Sequence, residues 1–248
     1  MQQFFLPEGA LEKNSVIISG ENYKHMVKVL RMQKGDKILL ADGSGKQYEA
    51  EIKEIGNENV VAEIVKEKQA NTEPPLKVIL LQGLPKKDKM EFIVQKGTEL
   101  GMYSLIPIES VRTVVKLDSK KAASRKNRWQ KIALEAAKQC RRAVVPQIKE
   151  ISSLKEALTA LDVDLILFPW EDEKTLTLKD ALKNIASDKI KSVAVAIGPE
   201  GGWAPEEVRL AKEFGAELVS LGPRILRTET AGIAAITMLL YQLGDLGG

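Results

Sequence analysis

Cysteine, histidine and long apolar runs are scarce in this sequence. Its 248 residues contain one cysteine, Cys140, and one histidine, His25. A single cysteine excludes internal disulfides and all-cysteine metal sites, and a single histidine removes most zinc sites. We therefore expect no metal centre and a reducing, cytoplasmic environment.

No stretch of the sequence predicts a membrane span. The longest apolar stretch lies near the C-terminus, and Thr237 interrupts it. The first residues, MQQFFLPEGALEK, have no basic leader and only a short apolar patch, so we expect no secretory signal. With 44% hydrophobic and 29% charged residues, the composition is typical of a soluble protein with one or two cores.

Basic residues are concentrated in one segment, residues 116–146, called here the basic stripe. It holds ten Lys/Arg against two acidic residues, a charge of +8, whereas the whole chain carries +3. A solvated, lysine-rich helix face would give this pattern, and so would a surface that binds a polyanion. Because the stripe includes arginines and Trp129, which can grip phosphates and stack on bases, we favour RNA binding.

Residues 1–72 have the pattern of a small, mostly β domain. The hairpin-type turns DGSGK and GNEN indicate a compact barrel, for which RNA docking and a purely structural role both remain open. The polar, proline-containing segment Gln69–Pro75 predicts a linker to a second domain, residues 73–248. The predicted elements of the first domain are strands at Val16–Ser19, Lys37–Ala41, Gln47–Ile55 and Val60–Val65 and an amphipathic helix at Glu21–Leu30.

From residue 73 onward strands alternate with helices, which indicates an α/β domain. At its end we expect a helix at Ala231–Leu243, with Thr230 as its cap and Gly244 as its terminator. The other elements are strands at Val78–Leu81, Leu105–Ile108, Asp164–Phe168, Val193–Ile197 and Glu217–Leu221, and helices at Met90–Leu100, Ser124–Cys140 and Leu154–Leu161.

Two glycine- and proline-rich loops each follow a predicted strand directly. They are IGPEGG at Ile197–Gly202 and LGPRILRTETA at Leu221–Ala231. Glycine lets the backbone approach a ligand closely, and proline fixes the rest of the turn. A third loop, LFPWE at Leu167–Glu171, also ends a strand. Because open α/β sheets bind ligands beyond the carboxyl ends of their strands, the sequence predicts a pocket of three loops.

Together with QKGTELG (Gln95–Gly101) and QCRRAVVP (Gln139–Pro146), these loops resemble the ribosomal RNA small subunit methyltransferase E family of the SPOUT superfamily. The resemblance covers the whole chain. It implies a PUA-like β-barrel domain followed by a SPOUT trefoil-knot α/β methyltransferase domain, although general connection rules argue against knots. It further implies a homodimer that methylates N3 of one uridine in 16S rRNA, with S-adenosylmethionine as methyl donor.

The resemblance also implies a cofactor pocket. Backbone groups of the three loops would recognise adenine and ribose, and apolar side chains would cover the ring faces. Its residues are Leu167, Phe168, Ile197, Gly198, Pro199, Glu200, Gly201, Gly202, Leu221, Gly222, Ile225, Leu226, Arg227, Thr228 and Thr230.

Methylation of uracil N3 requires the loss of its proton, and a cation would stabilise the resulting anion. Glu229 or Glu200 is the candidate base, and Arg227 or Arg224 the candidate cation. Alternatively, Arg227 and Glu229 form a structural ion pair. RNA contacts are assigned to Lys86, Lys87, Arg125, Arg128, Arg141 and Arg142, and which arginine of the last pair meets a phosphate stays open.

Three other functions fit part of the pattern. A SPOUT ribose 2′-O-methyltransferase would share the pocket but modify a hydroxyl. A non-catalytic RNA-binding assembly factor would keep the fold without turnover, and the intact GPEGG and RILRTETA loops argue against it. A dinucleotide oxidoreductase is disfavoured because no G-x-G-x-x-G follows a strand.

Overall fold

The structure is a computed structural model that describes residues 1–6, 10–12, 14–114, 117–183, 185 and 189–247. The chain divides into two compact units. The first contains residues 1–73 and 137–145, and the second contains residues 74–136 and 146–248. Within the described ranges, no helix is long and apolar enough to cross a membrane.

A curled six-stranded sheet forms the first unit, in the order β1-β4-β5-β6-β3-β2. Apart from the parallel pair of β1 and β4, its pairings are antiparallel. Helix α1 is followed directly by a π-helical turn, so the expected single helix at Glu21–Leu30 consists of two kinds of helix. The elements are β1 (Gln2–Phe5), β2 (Leu11–Glu12), β3 (Ser15–Ser19), α1 (Gly20–Lys24), the π-helical turn His25–Val29, β4 (Lys37–Ala41), β5 (Lys46–Ile55) and β6 (Asn59–Gln69).

The apolar residues of these strands meet in one core. Phe4, Ile18, Met26 and Ile52 are among its fully or almost fully buried members. In β5, Ala50 and Ile52 are buried whereas Glu49 and Glu51 are partly exposed, as expected for a strand with one wet face. The first unit therefore has a core of its own.

The second unit is an α/β layer structure around a parallel sheet of order β12-β10-β11-β7-β8-β9. The predicted α/β class is confirmed. The strands are β7 (Lys77–Gly83), β8 (Ser104–Ile108), β9 (Gln147–Ile148), β10 (Leu165–Pro169), β11 (Ser192–Ile197) and β12 (Glu217–Val219). The helices are α2 (Lys89–Leu100), α3 (Ser119–Cys140), α4 (Leu154–Thr159), α5 (Leu178–Lys183), α6 (Pro205–Glu213) and α7 (Thr228–Leu243).

The strand order determines where the loops lie. β12, β10, β11 and β7 are consecutive neighbours and run in the same direction. Their carboxyl ends therefore meet along one edge of the sheet. The predicted loops follow the first three of these strands, and the chain that leads from β7 into α2 joins them there.

Two helix starts differ by several residues from the sequence-based expectation. α7 begins at Thr228 rather than after a Thr230 cap, because Arg227, in an extended conformation, is its N-cap residue. α3 begins at Ser119 rather than Ser124. The Asp118 carboxylate accepts the Lys121 N–H at 2.8 Å, which is the cap that marks this start.

Candidate active site

A cavity of about 470 Å³ lies at this carboxyl edge of the parallel sheet. Its volume is within the range of small-molecule sites. The structure brings the three predicted loops together in its walls. The lining residues are Pro169, Trp170 and Glu171 at and after the end of β10, residues 197–200, Gly202 and Trp203 at and after the end of β11, residues 220–228 after β12, and Lys89 and Ala231 from α2 and α7.

The loop after β11 is a tight turn. The Gly202 N–H donates to the Pro199 carbonyl at 2.9 Å, and Gly202 has a φ of 67°, which favours glycine. A Cβ at Gly202 would lie 3.2 Å from the Glu171 carboxylate of the neighbouring loop. The glycine therefore allows two walls of the cavity to approach each other.

A buried chain of hydrogen bonds joins three segments beside the cavity. Gln82, at the end of β7, donates through Nε2 to the Thr228 hydroxyl at 2.8 Å. That hydroxyl donates to the Gly198 carbonyl at 2.6 Å. A Cβ on Gly83 would lie only 2.5 Å from the Pro199 nitrogen, so backbone also packs directly on backbone here. The ends of β7 and β11 and the start of α7 are thus held as one assembly.

Most of the predicted cofactor residues line the cavity. Leu167 and Phe168 do not, because both are fully buried within β10, and Phe168 packs against Trp203 with ring centroids 4.9 Å apart. Pro169, the last residue of β10, and the two residues after it, Trp170 and Glu171, take that position instead. Among the described residues, the lining also leaves out Gly201 and Thr230. The predicted residues that do line it are Ile197, Gly198, Pro199, Glu200, Gly202, Leu221, Gly222, Ile225, Leu226, Arg227 and Thr228.

Lys89, which no sequence motif marks, connects the two candidate carboxylates. Its ammonium lies 2.9 Å from Glu200 Oε1 and 3.2 Å from Glu229 Oε2. The Lys86 N–H also donates to the Glu200 carboxylate, at 3.1 Å. Lys89 is the first residue of α2 and Glu229 lies in the first turn of α7, where helix dipoles favour negative charge. Lys89 is recognised only from the structure, because its ammonium lies within 3.2 Å of both carboxylates.

Both partners in the closer contact are charged near neutral pH. The hydrogen bond to Glu200 is the main cause that raises the pKa of Lys89. Burial acts to raise the pKa of Glu200, but hydrogen bonds from Lys89 and from backbone N–H groups outweigh it, so that pKa is lowered. Glu200 is therefore a weak base in this environment.

Glu229 differs from Glu200 in its contacts. Its Oε2 atom is buried and, although close to Lys89, accepts no hydrogen bond of good geometry from the described residues. The expected alternative, an ion pair between Arg227 and Glu229, is not present, because Glu229 pairs with Lys89 instead.

Arg224 and Arg227 are exposed at the cavity wall, and neither forms an ion pair within the described part of the chain.

The predicted RNA contacts differ in exposure. Lys86, Lys87 and Arg128 are exposed and Arg125 is half-buried, while Arg128 also lies 2.9 Å from Glu91. Trp129 is only 3% exposed, so the expectation that it stacks on bases is wrong: its position on α3 faces the core. Lys116 of the basic stripe lies outside the described residues.

Arg141 and Arg142 have opposite environments. Arg142 is 4% exposed, and its guanidinium holds Glu73, with Nη2 2.7 Å from Oε2. The prediction that Arg142 contacts RNA is therefore wrong, because its charge is already paired inside the first unit. Arg141 is exposed, and its carbonyl accepts a hydrogen bond from Gln47 Nε2 at 3.0 Å. Of the two, Arg141 is the one available to a phosphate.

No group of three or more His, Cys, Asp or Glu that could hold a metal ion occurs among the residues that the structure describes. The charged groups that line the cavity are the Lys89 ammonium, the carboxylates of Glu171 and Glu200 and the guanidiniums of Arg224 and Arg227.

Comparison with known protein families and structures gives the same assignment as the loop motifs. Residues 72–240 match an RNA methyltransferase domain, and residues 18–65 match an RNA methyltransferase PUA domain. The PUA-like domain followed by an α/β methyltransferase domain is thereby confirmed.

Related proteins align with the chain over nearly all of its length. Ribosomal RNA small subunit methyltransferase E of Bacillus subtilis is 37% identical, with 100% of this chain and 99% of the relative covered. The protein of that name from Buchnera aphidicola (Schizaphis graminum) is 34% identical over 95% of this chain and 94% of its own. The Neisseria gonorrhoeae one, solved bound to S-adenosylmethionine, is 35% identical, with a TM-score of 0.86 and 99% of both chains covered. The chain belongs to the ribosomal RNA small subunit methyltransferase E family.

Proposed function

We propose that this protein methylates N3 of one uridine in 16S rRNA, with S-adenosylmethionine as methyl donor. The observation that carries the proposal is the three-loop cavity with the Lys89–Glu200–Glu229 cluster beside it, in a chain that belongs to this family. The coarser activity, methylation of ribosomal RNA, rests on the family, and the choice of uracil N3 rests on the resemblance of the loop motifs.

The cavity residues fit this cofactor. Ile197, Leu221 and Leu226 offer apolar surface for a nucleoside, and the glycine-rich turns expose backbone donors and acceptors. Glu171 and Glu200 supply negative charge and Arg224 and Arg227 positive charge, which suits a ligand that carries a sulfonium, an ammonium and a carboxylate. When bound, the cofactor supplies an electrophilic methyl group.

The chain's own residues would position uracil and remove its proton. We assign the proton acceptor to Glu229, because among the described residues Lys89 alone holds it, at 3.2 Å, whereas Glu200 accepts hydrogen bonds from both the Lys89 ammonium and the Lys86 N–H. Arg227, free of ion pairs in the described part, would stabilise the imide anion through a flanking carbonyl oxygen. Since N3 lies on the Watson–Crick edge, the target base must be unpaired or flipped out.

The two domains would divide the work. Residues 1–72 would dock RNA and residues 73–248 would carry out the transfer. Of the six cations predicted from the sequence to contact RNA, five are exposed or half-buried, and we propose that these bind phosphates. They are Lys86, Lys87, Arg125, Arg128 and Arg141.

We also propose that the protein acts in the cytoplasm as a homodimer. The homodimer rests on the resemblance of the loop motifs, and the exposed apolar side chains of Ile225 at the cavity wall and Tyr241 on α7 are candidates for burial in its interface. Sedimentation equilibrium measures the oligomeric state, and a monomer at micromolar concentration would contradict this part of the proposal.

One experiment tests the reaction itself. The protein is incubated with methyl-labelled S-adenosylmethionine and small ribosomal subunits that lack the modification, and the nucleosides are then identified by mass spectrometry. We expect labelled 3-methyluridine. A labelled 2′-O-methylnucleoside would indicate a ribose methyltransferase instead, and cofactor binding without any labelled nucleoside would support a non-catalytic assembly factor.

A further inference from the structure

Three residues hold a backbone conformation that side chains rarely adopt. Arg31, Lys87 and Arg141 have φ values of 53°, 58° and 62°, and no other non-glycine residue in the described ranges has a positive φ. Asparagine, aspartate and histidine are the residues enriched in this conformation. Lysine and arginine make up only 37 of 248 residues, so composition does not explain a basic side chain at all three positions.

Backbone strain of this kind often persists where it serves a function. Lys87 and Arg141 are two of the RNA contacts in the proposed function, on which this inference rests. Arg31 has the same conformation and is likewise exposed, but it lies on a segment that neither the motifs nor the basic stripe includes.

The backbone around Arg31 is fixed by an unusual turn. The Leu30 N–H donates to the His25 carbonyl at 2.9 Å, and the Met32 N–H donates to the Met26 carbonyl at 3.0 Å. These bonds belong to and follow the π-helical turn His25–Val29. π-Helical turns are rare and occur frequently at functional sites.

The outer side of this helical segment is cationic. Met26 is fully buried and Tyr23 and Val27 pack against the core of the first unit, which leaves the intervening positions on the outside. The cations of this helical segment and of the chain that follows it are all exposed, and within the described residues none forms an ion pair. They are Lys24, Lys28, Arg31 and Lys34, called here the cationic face.

Charge is distributed unevenly within the first domain. Residues 20–37 contain five basic and two acidic residues, whereas the rest of residues 1–72 contains five basic and nine acidic ones. Several of the other lysines are paired, for example Lys46 with Glu67 and Lys53 with Glu51. The cationic face is therefore a positive patch on an otherwise acidic, ion-paired domain, which is the footprint of a polyanion partner.

Apolar side chains lie among these cations. Val29 is 68% exposed and Leu30 is 38% exposed. A nucleic acid offers both phosphates for the cations and ribose or base surface for such residues. We infer that the cationic face binds the phosphate backbone of the RNA substrate, in addition to the contacts assigned above.

The test compares two triple variants of the full-length protein. Lys24→Gln/Lys28→Gln/Arg31→Asn removes three charges of the face, and asparagine tolerates the left-handed conformation of position 31. The matched control, Lys46→Gln/Lys53→Gln/Lys68→Gln, removes three ion-paired charges from the same unit. Filter binding to a 16S rRNA transcript is measured over a series of salt concentrations. Circular dichroism and calorimetric titration with S-adenosylmethionine verify that both variants stay folded.

We expect the first variant to bind RNA about tenfold or more weakly, with a slope of log affinity against log salt that is shallower by about 2 to 3. The control should keep wild-type values. An unchanged affinity and slope, an equal loss in the control, or a wild type that does not bind the transcript overturns the inference. The inference is also overturned if the first variant keeps its RNA affinity but no longer binds vesicles of anionic phospholipid, because the face would then bind a membrane surface. A wild type that binds RNA but forms no 3-methyluridine contradicts the proposed reaction and leaves the cationic face standing.

Discussion

Thr228 and Gly198 are joined by a hydrogen bond of 2.6 Å, in which the threonine hydroxyl donates to the glycine carbonyl. Because the same hydroxyl accepts from Gln82 at 2.8 Å, one side chain fixes the ends of two neighbouring strands and the start of α7. Thr228 and Gln82 are both buried. The cavity is thus organised by a shared polar network rather than by three independent loops.

Replacement of Thr228 by valine should disrupt this network while keeping the side-chain shape. The Gly198 carbonyl would lose the hydroxyl partner, and Gln82 Nε2 would retain only its bond to the Gly83 carbonyl. We expect a loss of about 1–3 kcal/mol in the free energy of unfolding, and a cofactor affinity lower by about tenfold. Urea denaturation and calorimetric titration measure the two effects. Thr228→Ser keeps the hydroxyl and should behave like the wild type. If Thr228→Val and Thr228→Ser have the same stability and the same cofactor affinity, the hydrogen-bond network does not organise the cavity.

Lys89→Met should lower turnover more than it lowers cofactor affinity. The substitution leaves Glu200 and Glu229 without the ammonium that lies within 3.2 Å of both, so the two carboxylates lose their common anchor. Lys89→Arg, which keeps the charge, should restore much of the activity. Single-turnover rates and the cofactor Kd, measured separately, distinguish the effects. Normal single-turnover rates in Lys89→Met would show that the cluster has no part in catalysis.

The same variant makes a prediction about acid stability. The pKa of Glu200 is lowered in the folded protein from an ordinary value of about 4.5, and Lys89 supplies one of the causes. A carboxyl with a lowered folded pKa stabilises the protein above its unfolded pKa, and that contribution disappears as the pH falls through the folded pKa. The stability difference between wild type and Lys89→Met should therefore be largest near neutral pH and shrink below about pH 4.5. Urea denaturation across this range measures it, and a difference that grows on acidification would contradict the assignment.

The loops were predictable because each carries its own local signal. Glycine and proline after an apolar run mark IGPEGG and LGPRILRTETA, and the parallel sheet places both at one edge. Lys89 was not predictable in this way, because only the order of β11 next to β7 brings it to Glu200. The trefoil knot stays a prediction that only the resemblance implies, because no residue pattern marks a knot and general connection rules argue against one.

Burial explains the errors among the charged and aromatic candidates. Trp129 and Arg142 occur in the basic stripe. The high charge of this segment predicts exposed residues, but it does not show which individual residues are buried. The structure buries both, Trp129 in the face of α3 that packs inward and Arg142 against Glu73. A count of charges does not show which side chains point toward the core, and that orientation decides which of two neighbouring residues faces the solvent.

Glu229→Gln should separate proton transfer from binding. In the proposed reaction Glu229 accepts the N3 proton, and glutamine, which has nearly the same shape, cannot accept it, so we expect turnover to fall by about 100-fold or more with the cofactor Kd unchanged. Arg227→Ala should likewise lower turnover, because the imide anion would lose its cation. Labelled-methyl transfer to rRNA measures both. If both variants keep normal turnover, the assigned chemistry is wrong.

Arg141 and Arg142, although adjacent, should respond to substitution in opposite ways. Arg142→Gln leaves Glu73, which is partly buried and also accepts N–H groups from Ala143 and Val144, without its cation. We expect it to destabilise the protein by about 3 kcal/mol, the lower end for a buried pair because Glu73 keeps some solvent contact. Arg141→Gly should leave stability equal or slightly higher, because glycine relieves the positive φ, but it should weaken RNA binding. Urea denaturation measures the stability of both variants, and filter binding measures their RNA affinity. If Arg142→Gln weakens RNA binding and Arg141→Gly lowers stability, Arg142 and not Arg141 contacts the phosphate.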